Sequence, residues 1–395
     1  SEMCIRDRLK VDIVFSKSIY GPTGDCTLVR SLGEMRDKFT ANGVDLRIIS
    51  LDKFEPQSTA RNSIKVSWKH KVSAFLTRYS ALATRLALHL ADDKRNDRIL
   101  DYYNTIPDKG DVITFHDLML CYRFLKRNPS NNQLVQCTIH APGDIWEAFI
   151  NSYPRIKSPL LASFRKDVID TLLKGCANIG FDADSPRQEF CRLYPYSEEN
   201  TYFVYNGIPN RDFPSRETFD KLKLICIATL NNRKNEMGIL NAIELLPLSY
   251  QKQIELTLVG NGDMRMALEE KAKILAAKVT FTGSATESEY YGYMLQSNCF
   301  ILYSKHEGMP IAVIEGMRSG LPVVGSRVDG IPEEIEDGKT GYIVDLDEAK
   351  LAEVLKKLVD HKDKLPEMGK ASYELFLKRF TIEAMVDKYS QIFKS

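Results

Sequence analysis

Short apolar, β-branched runs alternate with stretches of helical period along nearly the whole chain. That alternation predicts parallel sheets built from βα units, because a strand covered by helices on both faces needs apolar residues at most positions. Six runs make a first set: VDIVFSK (11–17), DLRIISL (45–51), DVITFHD (111–117), LVQCTIH (134–140), CANIGFD (176–182) and YFVYNGI (202–208). Six more follow: LKLICIATL (222–230), IELTLVG (254–260), KVTFTG (278–283), CFILYS (299–304), LPVVGS (321–326) and TGYIVD (340–345). Residues 206–221, NGIPNRDFPSRETFDK, carry Asn-Gly, two prolines and mixed charge, as a linker does. The predicted class is α/β, with two doubly wound, Rossmann-like domains facing a cleft: residues 10–205, then the linker 206–221, then residues 222–378. The last helical pattern, FTIEAMVDKYSQIF (380–393) within 379–395, comes after the second sheet and suits packing on either domain. Residues 1–9 show no period and are read as a tail.

Composition narrows the class. At 395 residues the chain is long enough for two cores and a cleft. Its 54 basic and 53 acidic residues leave no overall field to attract nucleic acid, so any charge-based binding is local. The eight cysteines include no CxxC pair and several lie in strand-like runs, as reduced, buried thiols do. No run approaches the roughly 18 to 20 apolar residues of a membrane span. A cytoplasmic location is expected, with attachment to the inner membrane face as an alternative.

In open α/β sheets ligands bind beyond the carboxyl ends of the strands. Those positions are Gly21 to Gly24, His116 with Asp117, His140 to Asp144, Gly260 to Asp263, Gly283 and Glu307. The segment HEGMPIAVIEGMRSGLPVV (306–324) follows a buried strand, has Pro310 where a first helical turn tolerates it, and stops at Gly320 and Pro322. Free N–H groups near Gly308, Met309, Pro310 and Ile311, with the helix dipole, suit a diphosphate. Carboxylates bind hydroxyls instead. Glu315, in the helix, suits a ribose diol, and Glu307, in the loop, suits the hydroxyls of a sugar. The plainer reading is a helix-start glutamate and a surface glutamate, but a charged residue within IAVIEGM needs a partner. A zinc-protease HExxH is excluded, because Pro310 stands where the second histidine would be.

The glutamate pair with the following EGMRSGLPVVGSRVDGIPEEIEDGKTGYIV, the phrases LVGNGDMRMALEE (258–270) and VTFTGSA (279–285), and the hinge phrase VYNGIPNRDF (204–213) resemble a known family. It is that of retaining GT-B glycosyltransferases of the large fourth family, the glycosyl transferases group 1. The resemblance spans residues 11–393 and is stronger in the second domain. It implies that Glu307 contacts the donor sugar and Glu315 the ribose. It also implies that the last helix crosses back to the first domain. The reaction it implies is transfer from a nucleotide-sugar to a carbohydrate or lipid-linked hydroxyl, by front-face substitution, without cofactor or metal ion. The family places an arginine after the strand and a lysine five residues on; Lys234 matches the lysine, Thr229 stands at the arginine position, and the adjacent Arg233 is a candidate replacement.

By the same resemblance Gly21 and Gly24 of GPTGD form the glycine loop between donor and acceptor, and His116 is the active-site histidine, with His140 flanking the cleft. Unaided, a histidine at a strand end also fits a structural role. Gly260-Asn261-Gly262 reads equally as a turn or, with Gly283, as the border of the base. Catalytic roles are thus expected for His116, Lys234 and Glu307. Donor contacts are expected from Gly21, Gly24, Arg233, Lys234, Gly260, Gly283, Gly308 to Ile311 and Glu315. Finally, residues 68–90 place Val72, Phe75, Tyr79, Leu82, Leu86 and Leu90 at helical spacing beside Lys71, Arg78 and Arg85. Such a helix suits an anionic membrane surface, and equally packing on its own sheet. An epimerase of nucleotide-sugars and a sugar-nucleotide-binding protein without turnover remain alternative readings of the same fold.

Overall fold

The computed structural model describes residues 8–21, 24–53, 76–89, 94–150, 152–194, 198–214 and 219–395. All twelve apolar runs form strands: β1 (Leu9–Val14), β2 (Val44–Ile49), β3 (Val112–Phe115), β4 (Leu134–Ile139), β5 (Asn178–Phe181) and β6 (Thr201–Phe203) in one sheet. The other holds β7 (Leu222–Ile227), β8 (Ile254–Val259), β9 (Lys278–Gly283), β10 (Cys299–Leu302), β11 (Val323–Ser326) and β12 (Gly341–Val344). Every named pairing is parallel, so each connection must cross back over a sheet face, and helices do so.

The chain forms two compact units, Ser1–Val204 with Val386–Ser395, and Tyr205–Met385. In the first, the strand order is β2-β1-β3-β4-β5-β6, and β3 is buried along its whole length. One face of this sheet packs Ile113, Phe115, Leu120, Phe124 and Leu172, each at most 1% exposed, into a common core. The buried Asp12 pins β1 to β2 through Arg47 (2.7 Å) and takes a further hydrogen bond from Tyr103 (2.8 Å). β1 begins at Leu9, whose partner is Val44, so the ordered chain reaches into the segment expected to be a tail.

In the second unit the order is β12-β11-β10-β7-β8-β9. Its order reverses at β7 and β10, and that of the first sheet at β1 and β3, which are the places where loops diverge and leave a crevice. The segment expected to be a linker packs within this unit as far as it is described. Ile208 bridges Thr381, Arg318 donates to the Pro209 carbonyl (3.0 Å), and Tyr373 donates to that of Arg211 (2.6 Å). The final helix, Ile382–Lys394, contributes its last residues to the first unit, where Asp387 meets Lys38 and Asn42 and Phe393 packs beside Phe39.

Only part of the amphipathic stretch is described. Residues 68–75 and 90 lie outside the described residues. In the remainder, Ser80 caps a new helix, Ala81–Leu88, by accepting from the Ala83 N–H (3.1 Å), so the helical period is broken. Thr77, Ala81, Thr84 and Leu88 are buried, whereas Tyr79 (62%), Leu82 (76%) and Leu86 (56%) are exposed. No helix among the described residues is long and apolar enough to cross a membrane. The described cysteines are all free thiols, and of these only Cys191 is not buried.

At the carboxyl edge of the second sheet, Gly260 has φ +144° and donates to the Gly283 carbonyl at 2.9 Å. A Cβ there would lie 1.8 Å from the Ala228 carbonyl oxygen, and one at Gly262 2.0 Å from that of Leu230. Backbone therefore fills the space a side chain would need. Gly260→Ala is expected to destabilise the protein by roughly 2 to 4 kcal/mol, read as a lower urea midpoint with an unchanged slope; a midpoint equal to wild type refutes the strain.

Candidate functional site

Two loops of the second unit, those after β7 and β10, are tied together at the strand ends. Lys305 donates its N–H to the Arg233 carbonyl (2.8 Å) and its ammonium to Asn232 (2.9 Å). Arg233 Nη1 returns a hydrogen bond to the His306 carbonyl at 2.8 Å. Asn231 Oδ1 accepts from the Lys234 N–H (3.0 Å), and Asn235 turns the chain at φ 56°, a conformation asparagine tolerates, into the helix Glu236–Glu244. Both cations then meet on one carboxylate. Lys234 Nζ lies 2.5 Å from Glu307 Oε1, and Arg233 Nη1 lies 2.9 Å from Oε2.

Glu307 is 6% exposed. Burial pushes its carboxyl up, but the charges of Lys234 and Arg233 outweigh that and hold it below the ordinary glutamate range. It is an anion at neutral pH. Asp329 accepts the Glu307 N–H (2.8 Å), the Gly308 carbonyl accepts from Gly330 (3.0 Å), and Asn206 donates to the Met309 carbonyl (2.8 Å), which fixes the turn. The helix Ile311–Arg318 starts at Pro310 without a side-chain cap. The Val313 N–H donates to the Pro310 carbonyl (3.0 Å), and no side chain caps the N–H groups that precede it.

Glu315 has the partner that its apolar surroundings demand. Tyr290, on the helix Glu287–Leu295, donates to Oε1 at 2.5 Å. Burial raises the Glu315 carboxyl and the Tyr290 hydrogen bond only partly offsets this. One carboxylate oxygen thus has a protein partner in the phenol. Gly260 and Gly283 lie together at the ends of β8 and β9, where close backbone contact accounts for Gly260. Thr229 is exposed, while Arg233 reaches the charge cluster from four residues further on.

In the first unit, a cavity of about 320 Å³ opens beyond the strand ends, lined among others by Lys17, Asp25, Arg95, His116, His140 and Phe149. The Lys17 ammonium pairs with Asp25 at 2.5 Å, and Ser16 donates to Asp117 at 2.5 Å. Gly21 packs against Cys26, whose Sγ would lie 2.7 Å from a Cβ at Gly21, and Gly24 opens the helix Gly24–Glu34; residues 22 and 23 lie outside the described residues. His116 Nδ1 is 3.0 Å from His140 Nε2, the rings stack at 5.2 Å, and His140 Nδ1 is 3.8 Å from Asp182. Burial, with a smaller influence of the neighbouring His140, pushes His116 down to about 3, so it is a neutral ring. Among the described residues no group of three or more His, Cys, Asp or Glu is arranged to hold a metal ion.

Of the expected residues, Arg233, Lys234 and Glu307 converge on one cluster, with Gly308 to Ile311 immediately following in the chain. His116 and His140 converge on a separate cavity. Tyr290, Asp182 and Glu236 are additions the sequence reading lacked. Asp182 ends its strand run in the same way as His116 and His140 end theirs, which is a usable signal; Tyr290 and Glu236 carry none.

Glu236 opens its helix beside Lys234 and is 1% exposed. Neither of its carboxylate oxygens has a partner in hydrogen-bonding geometry. Burial pushes the carboxyl up to about 7, and nearby backbone N–H groups and Lys234 offset this only in part. An acid held protonated by the fold loses stability as pH rises: no loss below the unfolded value near 4.5, and the full loss above about 7. Glu236→Gln removes this dependence, so its stability relative to wild type is expected to rise by about 2 kcal/mol between pH 5 and pH 8. Urea melts at the two pH values test this, and a pH-independent difference contradicts it.

Residues 209–375 match the model of the family described as Glycosyl transferases group 1. The N-acetyl-alpha-D-glucosaminyl L-malate synthase of Bacillus anthracis is 24% identical over 232 residues, 58% of this chain and 60% of that one. The Vi polysaccharide biosynthesis protein VipC/TviE of Salmonella typhi is 30% identical over 36% of this chain and 25% of its own. For the lipopolysaccharide core biosynthesis glycosyltransferase LpsD of Rhizobium meliloti the identity is 27%, over 44% and 50%. The chain thus spans between a quarter and three-fifths of these relatives. Among solved structures, the sucrose-phosphate synthase of Thermosynechococcus elongatus superposes with a TM-score of 0.72 at 17% identity, covering 98% of each chain. Anabaena HepE in complex with UDP and glucose gives 0.69 at 13% identity, covering 98% of this chain and 100% of that one. Two six-stranded parallel sheets with this order are the GT-B fold, and residues 209–375 are similar to the family of the glycosyl transferases group 1.

Proposed function

We propose that the chain is a retaining, metal-independent glycosyltransferase, moving a hexose from a nucleoside-diphosphate donor to a hydroxyl of a carbohydrate or lipid-linked acceptor. The carrying observation is the pairing of Lys234 and Arg233 on the buried Glu307, next to an uncapped helix start. An arriving diphosphate offers these cations more negative charge than one carboxylate does. It draws them off Glu307 and accepts the N–H groups that begin the helix. Glu307, released in part, turns its oxygens to sugar hydroxyls. Glu315 keeps one oxygen on Tyr290 and offers the other to a ribose hydroxyl. The turn at Gly260 and Gly283 borders the base.

In the reaction, the bond from the anomeric carbon to the diphosphate breaks with its electron pair on the departing oxygen. The acceptor oxygen bonds to the same face of the sugar, and its proton passes to that departing oxygen. Charge grows on the diphosphate, where Lys234 and Arg233 neutralise it without a metal ion. The His116 cavity, with its neutral ring and apolar wall, is the acceptor side of the proposal. HepE is solved with UDP and glucose, and two of the relatives are named for the synthesis of surface polysaccharide or lipopolysaccharide core, which supports that setting here. Lys234→Ala is expected to lower turnover by roughly 10² to 10³, the loss of one stabiliser of developing charge. Nucleotide release from a panel of nucleotide-sugars beginning with UDP-glucose measures it, with circular dichroism as the fold control. Folded Lys234→Ala turning over within a few-fold of wild type removes the lysine from the mechanism.

The exposed Leu76, Tyr79, Leu82 and Leu86, beside the exposed Arg78, form the surface proposed for contact with an anionic membrane, at its inner face. The exposed Leu160 lies on the neighbouring turn Pro159–Leu161, which packs against the helix Ala81–Leu88 and extends the patch. Sedimentation with anionic vesicles at low salt is expected for wild type and reduced at least several-fold for Leu82→Asp with Leu86→Asp. Equal sedimentation of the two proteins discards the patch.

A further inference from the structure

The three polar side chains at the ends of β3, β4 and β5 form a line in the first unit: Asp182, His140, His116. Each follows the last residue of its strand, and the parallel register that sets Thr138 beside Gly180 and Ile139 beside Phe181 carries Asp182 alongside His140. Asp182 is 4% and His116 4% exposed, so the line is sealed from solvent over most of its length. Its far end, His116 Nε2, is buried and has no hydrogen-bond partner, although His116 lines the cavity.

We propose that Asp182, acting through His140, fixes His116 as the Nδ1–H tautomer and so leaves Nε2 bare, as the atom that accepts a hydrogen bond from the acceptor hydroxyl. Asp182 is thus a positioning residue, and the inference rests on the acceptor-side reading of the cavity given above. A neutral imidazole carries one proton on one nitrogen, so the partner of one ring atom decides the chemistry of the other. His140 Nδ1 lies 3.8 Å from the Asp182 carboxylate. A bare nitrogen lone pair would be repelled there, whereas an N–H is attracted. With its proton held on Nδ1, His140 presents a bare Nε2, 3.0 Å from His116 Nδ1. That contact is a hydrogen bond only if His116 donates. The His116 proton therefore sits on Nδ1, and its other nitrogen has a lone pair and nothing to receive.

The surroundings agree with a neutral His116. Of the other charged side chains lining the cavity, Lys17 and Asp25 pair at 2.5 Å, Asp117 accepts from Ser16 and from the N–H groups of Met119 and Leu120, and Arg95 adds a further cation. Tyr389 of the final helix packs its ring 6.1 Å from that of His116, and burial holds its phenol protonated. A hydroxyl group entering the cavity is the complement of the bare nitrogen.

Selective ¹⁵N labelling of histidine tests this directly, since ring nitrogens with and without a proton have well-separated shifts. At pH 8, above the ordinary histidine range, His116, assigned by the loss of its signals in His116→Gln, is expected to show a protonated Nδ1 and a bare Nε2. Asp182→Asn, which can donate an amide N–H to His140 Nδ1, is expected to reverse both rings. It should also lower the transfer kcat by roughly 10², with donor KM changed far less, while Asp182→Glu keeps the wild-type tautomer. A proton on Nε2 in wild type, or an unchanged His116 tautomer in folded Asp182→Asn, overturns the proposal. If Asp182→Asn does not fold, the wild-type spectrum decides alone. The spectra need no substrate, so the expected tautomers in a protein that transfers no sugar would leave this inference standing and remove the proposed activity.

Discussion

A carboxylate taken out of water has to be met by positive charge or give up its own, and in the second unit Glu307 is met from two adjacent residues. Around that requirement the site takes its form. Lys234 and Arg233 can reach Glu307 only because the loops after β7 and β10 leave neighbouring strands at the point where the sheet order reverses. The Lys305 N–H on the Arg233 carbonyl and the Arg233 guanidinium on the His306 carbonyl hold the two loops in register, so the cations stand at fixed separation. The arrangement is charged with opposite signs at short range, and under the proposed function a diphosphate would exchange partners within it instead of bringing new charge into an apolar pocket.

Glu236 shows the other outcome of the same rule. It lies two residues from Lys234 and is as buried as Glu307, but the lysine is already committed to Glu307 and the carboxyl is held mostly protonated at mildly acidic pH. Two glutamates near the same cations thus differ in charge because only one of them receives the ion pair. The histidine line in the first unit is a third case: no strong charge reaches His116, so burial leaves it neutral and the direction of its hydrogen bond becomes the informative property.

Much of this organisation was legible along the chain. Strands buried on both faces require unbroken apolar runs, so all twelve were visible, including the short β10 and β11. Sites at carboxyl ends of such strands are visible for the same reason, which is how Glu307, Lys234, His116 and His140 came forward. Less was visible where a side chain's environment depends on a distant element. Tyr290 meets Glu315 across 25 positions, and neither residue type announces the other. The apolar residues of 76–88 have the spacing of a core stripe, yet Thr77, Ala81 and Thr84 are buried and Leu82 and Leu86 are not. Periodicity gives a face, while its orientation depends on what the rest of the fold has already covered.

By itself the sequence determined the α/β class, the two sets of strands, and which residues end those strands, because these follow from local pattern and the parallel-sheet rule. Tertiary structure alone decided that Arg233 and not Thr229 joins Lys234 on Glu307, that the segment after β6 packs into the second unit as far as it is described, and that Asp182 stands behind His140. The physical reason is that charge pairing and hydrogen-bond direction are set by distances of about 3 Å between residues far apart in sequence, and no spacing along the chain encodes such a distance.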